Sequence, residues 1–162
     1  MTIQPDFEEL LRLLEKHEAD YMIVGGYAVA FHGYPRFTKD IDIFFDVAQA
    51  NVCRVRRALC EFGFQESDLT DELLMNPKNV ITFGVVPVRV DFVNEIDGVA
   101  YEVARSHRVR GRYGKVEVNF IGRLDLIQNK RATKRARDQV DVEELLAGND
   151  SVEAQERLDG YE

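Results

Sequence analysis

Asp40 and Asp42 stand two positions apart in the run DIDIFF, residues 40–45. Side chains alternate faces along a strand, so the two carboxylates project from the same side, roughly 6 to 7 Å apart at the backbone. Two acids aimed at one spot suggest a divalent cation. A second feature lies upstream, where YMIV (residues 21–24) runs into Gly25 and Gly26 and then a small-residue segment, YAVAFHG. Glycines between a strand and a helix let backbone N–H groups approach an anion closely; a turn that needs glycine for its geometry reads the same way. The third feature is Asp91 in VRVDFV, a run of strand formers in which an acid is costly unless solvated or paired. Arg89 offers the plain salt-bridge explanation for it.

If the strand holding Asp91 neighbours the one holding Asp40 and Asp42, three carboxylates converge, enough for two Mg²⁺ ions roughly 3.5 to 4 Å apart. Positioning them requires a sheet. Residues 5–17 read as an amphipathic helix with Pro5 in its first turn and Phe7, Leu10, Leu11 and Leu14 in one stripe. Residues 21–24 and 40–45 read as strands, with Asp40, Asp42 and Phe44 on one face of the second. Asp46 is the expected N-cap of a helix over 47–62, and Gly63 its stop. A loop with a helical turn is expected over 65–78, a hairpin over 79–84 and 88–93, and a second hairpin over 107–110 and 115–120. Helical segments follow from about residue 122, ending near Gly148.

The chain has 162 residues, 45% apolar and 31% charged, which suits one folded domain, expected over 1–148, with a polar acidic tail over 149–162. No apolar run approaches the roughly 20 residues of a membrane span, and MTIQPDFEEL lacks the regions of a signal peptide, so the expected location is cytoplasmic and no membrane partner is expected. Cys53 and Cys60 lie seven residues apart on one expected helix, about 10 Å, too far for a disulfide. The net charge of −8 conceals a segregation. Residues 105–137 hold eleven Lys or Arg against Glu117 and Asp125, a window of +9 that leaves −17 elsewhere. Such a block is compatible with a local anion site such as a polyphosphate, or with a solvated face, and argues against a nucleic-acid-coating surface.

Gly25-Gly26, the R-x-T-x-D-I-D run from Arg36 to Asp42, and Asp91 within V-D-F resemble, in this order, the signature of the DNA polymerase β-type nucleotidyltransferase superfamily, particularly its small stand-alone bacterial members. The segment LIQNKRATKRARDQVDVEELL, residues 126–146, is similar to the helical segment that follows the catalytic sheet in those members. The resemblance implies an α+β nucleotidyltransferase fold: a central mixed sheet of about five strands flanked by helices, with a short C-terminal helical segment. It implies that Asp40 and Asp42 contact two divalent ions, Mg²⁺ or Mn²⁺, and that Asp91 completes the ion site on the acceptor side. Gly25 and Gly26 would hold the triphosphate, with Arg36, Lys39 and Lys130 as candidate phosphate contacts or, alternatively, structural ion pairs. Asp138 and Asp141 read as capping residues or as partners of Arg135 or Arg137.

The implied activity is transfer of a nucleoside monophosphate, for example from ATP, to an acceptor hydroxyl with release of pyrophosphate. The acceptor would be a small molecule, as in the antibiotic-modifying members, or a protein, with a tRNA end possible, as in toxin and antitoxin members. A partner protein or a homodimer is compatible with this. The alternatives are a non-catalytic module of the same fold acting as an antitoxin or regulatory partner, and a metal-dependent phosphohydrolase. The sequence departs from the family where many members place serine: here Gly26 is followed by the bulky Tyr27. A substantial C-terminal domain, which receives the acceptor in larger relatives, is also lacking.

Overall fold

The computed structural model describes residues 3–33, 38–77, 79–85 and 88–159, with the side chains of 85, 88 and 148–159 outside that description. The chain runs α1 (Pro5–Lys16), β1 (Tyr21–Val24), α2 (Gly25–Phe31), β2 (Asp40–Phe45), α3 (Gln49–Phe62), a 3₁₀ turn (Glu66–Asp68), α4 (Asp71–Met75), β3 (Val80–Val85), β4 (Val88–Val93), α5 (Tyr101–His107), β5 (Val109–Tyr113), β6 (Val116–Phe120), α6 (Arg123–Thr133) and α7 (Ala136–Asp159).

The strands form one mixed sheet in the order β3-β4-β2-β1-β6-β5. This is the expected α+β nucleotidyltransferase arrangement, with six strands rather than about five. Both hairpins form as expected, antiparallel, at the two edges of the sheet. The centre is less regular: β1 pairs antiparallel with β2 and parallel with β6, while β2 pairs parallel with β4.

Hydrophobic patterning explains the packing. Phe7, Leu10, Leu11, Leu13 and Leu14 of α1 are all buried, and each contributes roughly 1.5 to 3 kcal/mol by leaving water. The helix lies against α3 and β6, and α2 lies against β1, β2 and α6. Ile41, Ile43 and Phe45 leave β2 on its fully buried face, so Asp40 and Asp42 are left to the other.

Three expectations change. Asp46 does not cap α3: the N-cap is Ala48, Asp46 Oδ1 sits 3.4 Å from the Ala48 N–H, and the Asp46 carbonyl accepts from Asn51 Nδ2 at 2.7 Å. Gly63 does end that helix, at φ 136°. Helix α5 lies where no element was expected, because only Ala104 of its seven residues is buried and no apolar period is left to read. Finally, α7 runs past Gly148 to Asp159, since one glycine costs a helix only about 1 kcal/mol relative to alanine.

The free cysteines, Cys53 and Cys60, are half-buried on α3. No helix among the described residues is long and apolar enough to cross a membrane.

Candidate functional site

Sheet register brings the acids together. In the parallel pairing of β2 with β4, Asp42 is the direct partner of Asp91, and Asp40 of Arg89. Neighbouring strands are about 4.8 Å apart, so the Asp42 and Asp91 side chains are adjacent. On its other side Asp42 is the partner of Val24, the last residue of β1. The chain then turns at Gly25 with φ +67°, and a Cβ there would lie 2.1 Å from Asp42 Oδ2. Gly25 is thus required both for its left-handed backbone and for the space the Asp42 carboxylate occupies. At Gly26 an added Cβ would come within 2.9 Å of Thr38 Oγ1.

The three carboxylates are held differently. Asp91, 8% exposed, accepts from Thr82 Oγ1 at 2.7 Å and from Arg89 Nη2 at 2.9 Å. The same Arg89 nitrogen lies 3.4 Å from Asp40 Oδ2. Asp42 is pushed up to about 7, first by burial and then by the charges of Asp91 and Asp40, with Lys130 pulling the other way. Among the described residues, no three acidic, histidine or cysteine side chains already stand as a formed metal site; a guanidinium bridges Asp40 and Asp91.

Across from Asp42 stands the turn between α6 and α7. A cleft of about 270 Å³ lies between them, lined by Gly25 and Asp42 on the sheet side and by Lys130, Thr133, Arg135 and Asp138 on the helix side. Its rim is the segment after β4, which carries Glu95 and Asp97. Asn129 and Gln128 of α6 fix that rim by donating to the carbonyls of Asp97, at 2.9 Å, and Gly98, at 2.6 Å. Gly98, at φ +73°, is packed so tightly on α6 that a Cβ would meet that of Ala132 at 2.6 Å.

Lys130 reaches the cleft but is already paired. Its Nζ lies 2.9 Å from Asp138 Oδ1 and 3.2 Å from Asp141 Oδ2, and all three residues are buried. The expectation that Asp138 and Asp141 cap the helix or pair with Arg135 or Arg137 is therefore corrected: both face Lys130. Burial would raise Asp138, but hydrogen bonds from Thr133 and Lys130 hold it below the ordinary carboxylate value. The turn is made by Lys134 in the left-handed region, φ 57°.

Of the other expected contacts, Lys39 is exposed beside β2 and Arg36 falls outside the described residues. Four arginines of the basic window are spent on ion pairs away from the cleft. Arg105 and Arg108 pair with Asp20, and Arg110 with Glu15 and Glu117. Arg112 also meets Glu117, leaving Lys130 and Arg135 as the cations lining the cleft.

Tyr27 does not enter the cleft. It is 4% exposed, with its ring 6.0 Å from that of Phe7 and 5.7 Å from that of Tyr113. His32, also near the glycines, uses Nε2 to reach the Ile121 carbonyl at 2.7 Å, and burial lowers its pKa. Sequence reasoning missed Thr82 and the acidic rim. Thr82 is signalled only by the register of β3, which sets it opposite Asp91.

Comparison with known proteins completes the description. Over 99% of this chain and 94% of the other, the fold resembles the solved structure of a candidate nucleotidyltransferase from Thermotoga maritima, with a TM-score of 0.51 at 15% identity. No curated protein matches the sequence. A model of the family described as aminoglycoside-2''-adenylyltransferase matches residues 6–120, which include β1, α2, β2, β4 and all three carboxylates. The chain belongs to that family and is a nucleotidyltransferase.

Proposed function

We propose that the protein transfers a nucleoside monophosphate from a nucleoside triphosphate, ATP by its family, to a hydroxyl of a cationic aminosugar. Asp40, Asp42 and Asp91 would be its catalytic acids. The observation that carries this reading is the cross-strand pair Asp42–Asp91 beneath Gly25, with Asp42 lining a cleft that has Lys130 opposite.

The donor set fits divalent metal. Three carboxylate side chains offer only hard oxygen donors, which suit Mg²⁺ or Mn²⁺. One of them, Asp42, is driven towards neutrality first by burial and then by the charges of Asp91 and Asp40. Asp40 and Asp42 would hold two ions and Asp91 the acceptor-side one; the ions would neutralise the phosphates of the incoming nucleotide. Gly25 and Gly26 present backbone close to the acids and would hold the triphosphate, with Lys39 and Lys130 as further phosphate contacts. Asp91, fixed by Thr82 and Arg89, would orient the acceptor hydroxyl and take its proton as its oxygen forms a bond to the α-phosphorus. The bond from that phosphorus to the bridging oxygen breaks, and pyrophosphate leaves. Catalysis is then mostly positioning and charge neutralisation.

Charge favours a cationic acceptor. Among the described residues, Asp42, Glu95, Asp97 and Asp138 line the cleft against Lys130 and Arg135, and Lys130 is already bound to Asp138 and Asp141. An aminosugar bearing several ammonium groups complements that excess of acid better than a tRNA end does.

The test is incubation with α-labelled nucleoside triphosphates, Mg²⁺ and a panel comprising an aminoglycoside, tRNA and the protein itself, with Asp42→Asn as control. Labelled aminoglycoside is expected with the native chain alone. Monophosphate released without any labelled acceptor would identify a phosphohydrolase. No nucleotide turnover would leave the non-catalytic module as the reading.

A further inference from the structure

Arg89 carries an inference about how this site is held before metal arrives; it rests on the metal-dependent reading above. Arg89 and Asp91 are two apart on β4 and share its face, and register places Arg89 directly beside Asp40. Its Nη2 is 2.9 Å from Asp91 Oδ2 and 3.4 Å from Asp40 Oδ2, so one nitrogen serves two carboxylates. Asp42, the third acid, is the register partner of Asp91 on the neighbouring strand. A second observation shows that this posture is not one the arginine is built for. Its Nε is buried and finds no hydrogen-bond acceptor among the described residues, while the side chain as a whole remains 41% exposed. A guanidinium settled for purely structural reasons would satisfy its Nε–H, because an orphaned buried donor is costly.

We propose that Arg89 is the resident counter-cation of the free site: it occupies the space between Asp40 and Asp91 and is displaced when a divalent cation binds there. The geometry allows the exchange. The arginine sits at the open side of the trio, and its aliphatic stem can stay packed while the head swings to water. A monovalent, fork-shaped cation partly offsets the mutual repulsion of the acids. Arg89 is thus a positioning residue. It keeps the carboxylates close enough to receive metal and withdraws from at least Asp40 when metal comes.

The test uses the intact protein labelled at arginine Nε. In the native chain the Arg89 Nε–H resonance is followed while Mg²⁺ is added, with binding registered independently as a rise in melting temperature that Asp42→Asn abolishes. Displacement predicts a large shift of that resonance and faster exchange with water, in step with the thermal shift. In parallel, Mn²⁺ is titrated calorimetrically into the native chain, Arg89→Lys and Arg89→Met. Removing a unit charge a few ångströms from the ion predicts on the order of ten-fold tighter Mn²⁺ binding by Arg89→Met, with Arg89→Lys close to native. An Arg89 resonance unmoved at saturating Mg²⁺ overturns the proposal while leaving the metal-dependent reading intact, and so does unchanged or weaker Mn²⁺ affinity in a folded Arg89→Met. A native chain that binds neither ion overturns both. Should Arg89→Met fail to fold, the resonance of the native chain decides alone.

Discussion

Replacing Asp42 with asparagine is expected to stabilise the metal-free protein while abolishing its activity, because the residue is kept for a charge the fold itself resists. The folded carboxyl titrates at about 7 against 3.8 for the unreacted group, first through burial and then through Asp91 and Asp40. Since the folded value is raised, the contribution of this group to stability is fully present below pH 3.8 and is lost as pH rises through 7. One pKa unit is worth about 1.4 kcal/mol, so, relative to an unshifted carboxyl, Asp42 costs the fold up to about 4 kcal/mol at pH 8, where it is ionised, and about 2 kcal/mol at pH 5, where folding must protonate it. Asparagine carries no such charge, so the variant should gain about 2 kcal/mol on the native chain between pH 5 and pH 8. The assay is urea unfolding of both proteins with chelator across that range. Saturating Mg²⁺ should then reverse the order, because only the native chain gains stability from the ion. A variant less stable than the native chain at pH 8 would refute the reasoning, as would a stability difference that does not change with pH.

Four further outcomes follow from the same geometry. Lys130→Met removes the buried ammonium shared by Asp138 and Asp141 and should cost about 3 kcal/mol in urea unfolding. Gly25→Ala should lose metal binding, read as the Mg²⁺-induced thermal shift, because its Cβ falls 2.1 Å from Asp42 Oδ2. Gly33→Ala, at φ +111° with nothing within 4 Å, carries backbone strain alone and should cost about 1 kcal/mol with the Mg²⁺ shift retained. Tyr27→Phe should leave the KM for ATP unchanged, since the ring is packed on Phe7 and Tyr113 away from the cleft.

The sequence made the sheet legible because its strands announce themselves by alternation and by composition. DIDIFF assigns its own faces, and VRVDFV and NVITFG need only a short turn between them. Asp40, Asp42 and Asp91 could be singled out by cost, as acids inside strand-forming runs. What could not be read was which strands are neighbours. Nothing in either segment states that β4 pairs parallel with β2 in the register that sets Asp42 beside Asp91; that follows from where the whole chain closes. The basic window shows the same limit in reverse. Its composition suggested an anion site, yet Arg105, Arg108, Arg110 and Arg112 are matched to Asp20, Glu15 and Glu117, acids that lie far away in sequence for all but the last. Helix α5 was invisible because its buried surface is a single alanine.

Tyr27 shows why a departure from a motif has to be weighed in three dimensions. Read along the chain, a bulky ring next to Gly26 stands where the nucleotide should approach. In the fold, α2 begins at Gly25, and two residues along a helix is about 200° around its axis. A side chain at 27 therefore leaves on nearly the opposite side from one at 25, and Tyr27 lies under α1 while Gly25 lines the cleft beside Asp42. The glycine pair and the tyrosine answer different demands of the same seven-residue helix: one end stays bare beside the acids, and the next turn is anchored by an aromatic cluster. The feature that governs access to the acids is Arg89, whose charge already stands between Asp40 and Asp91.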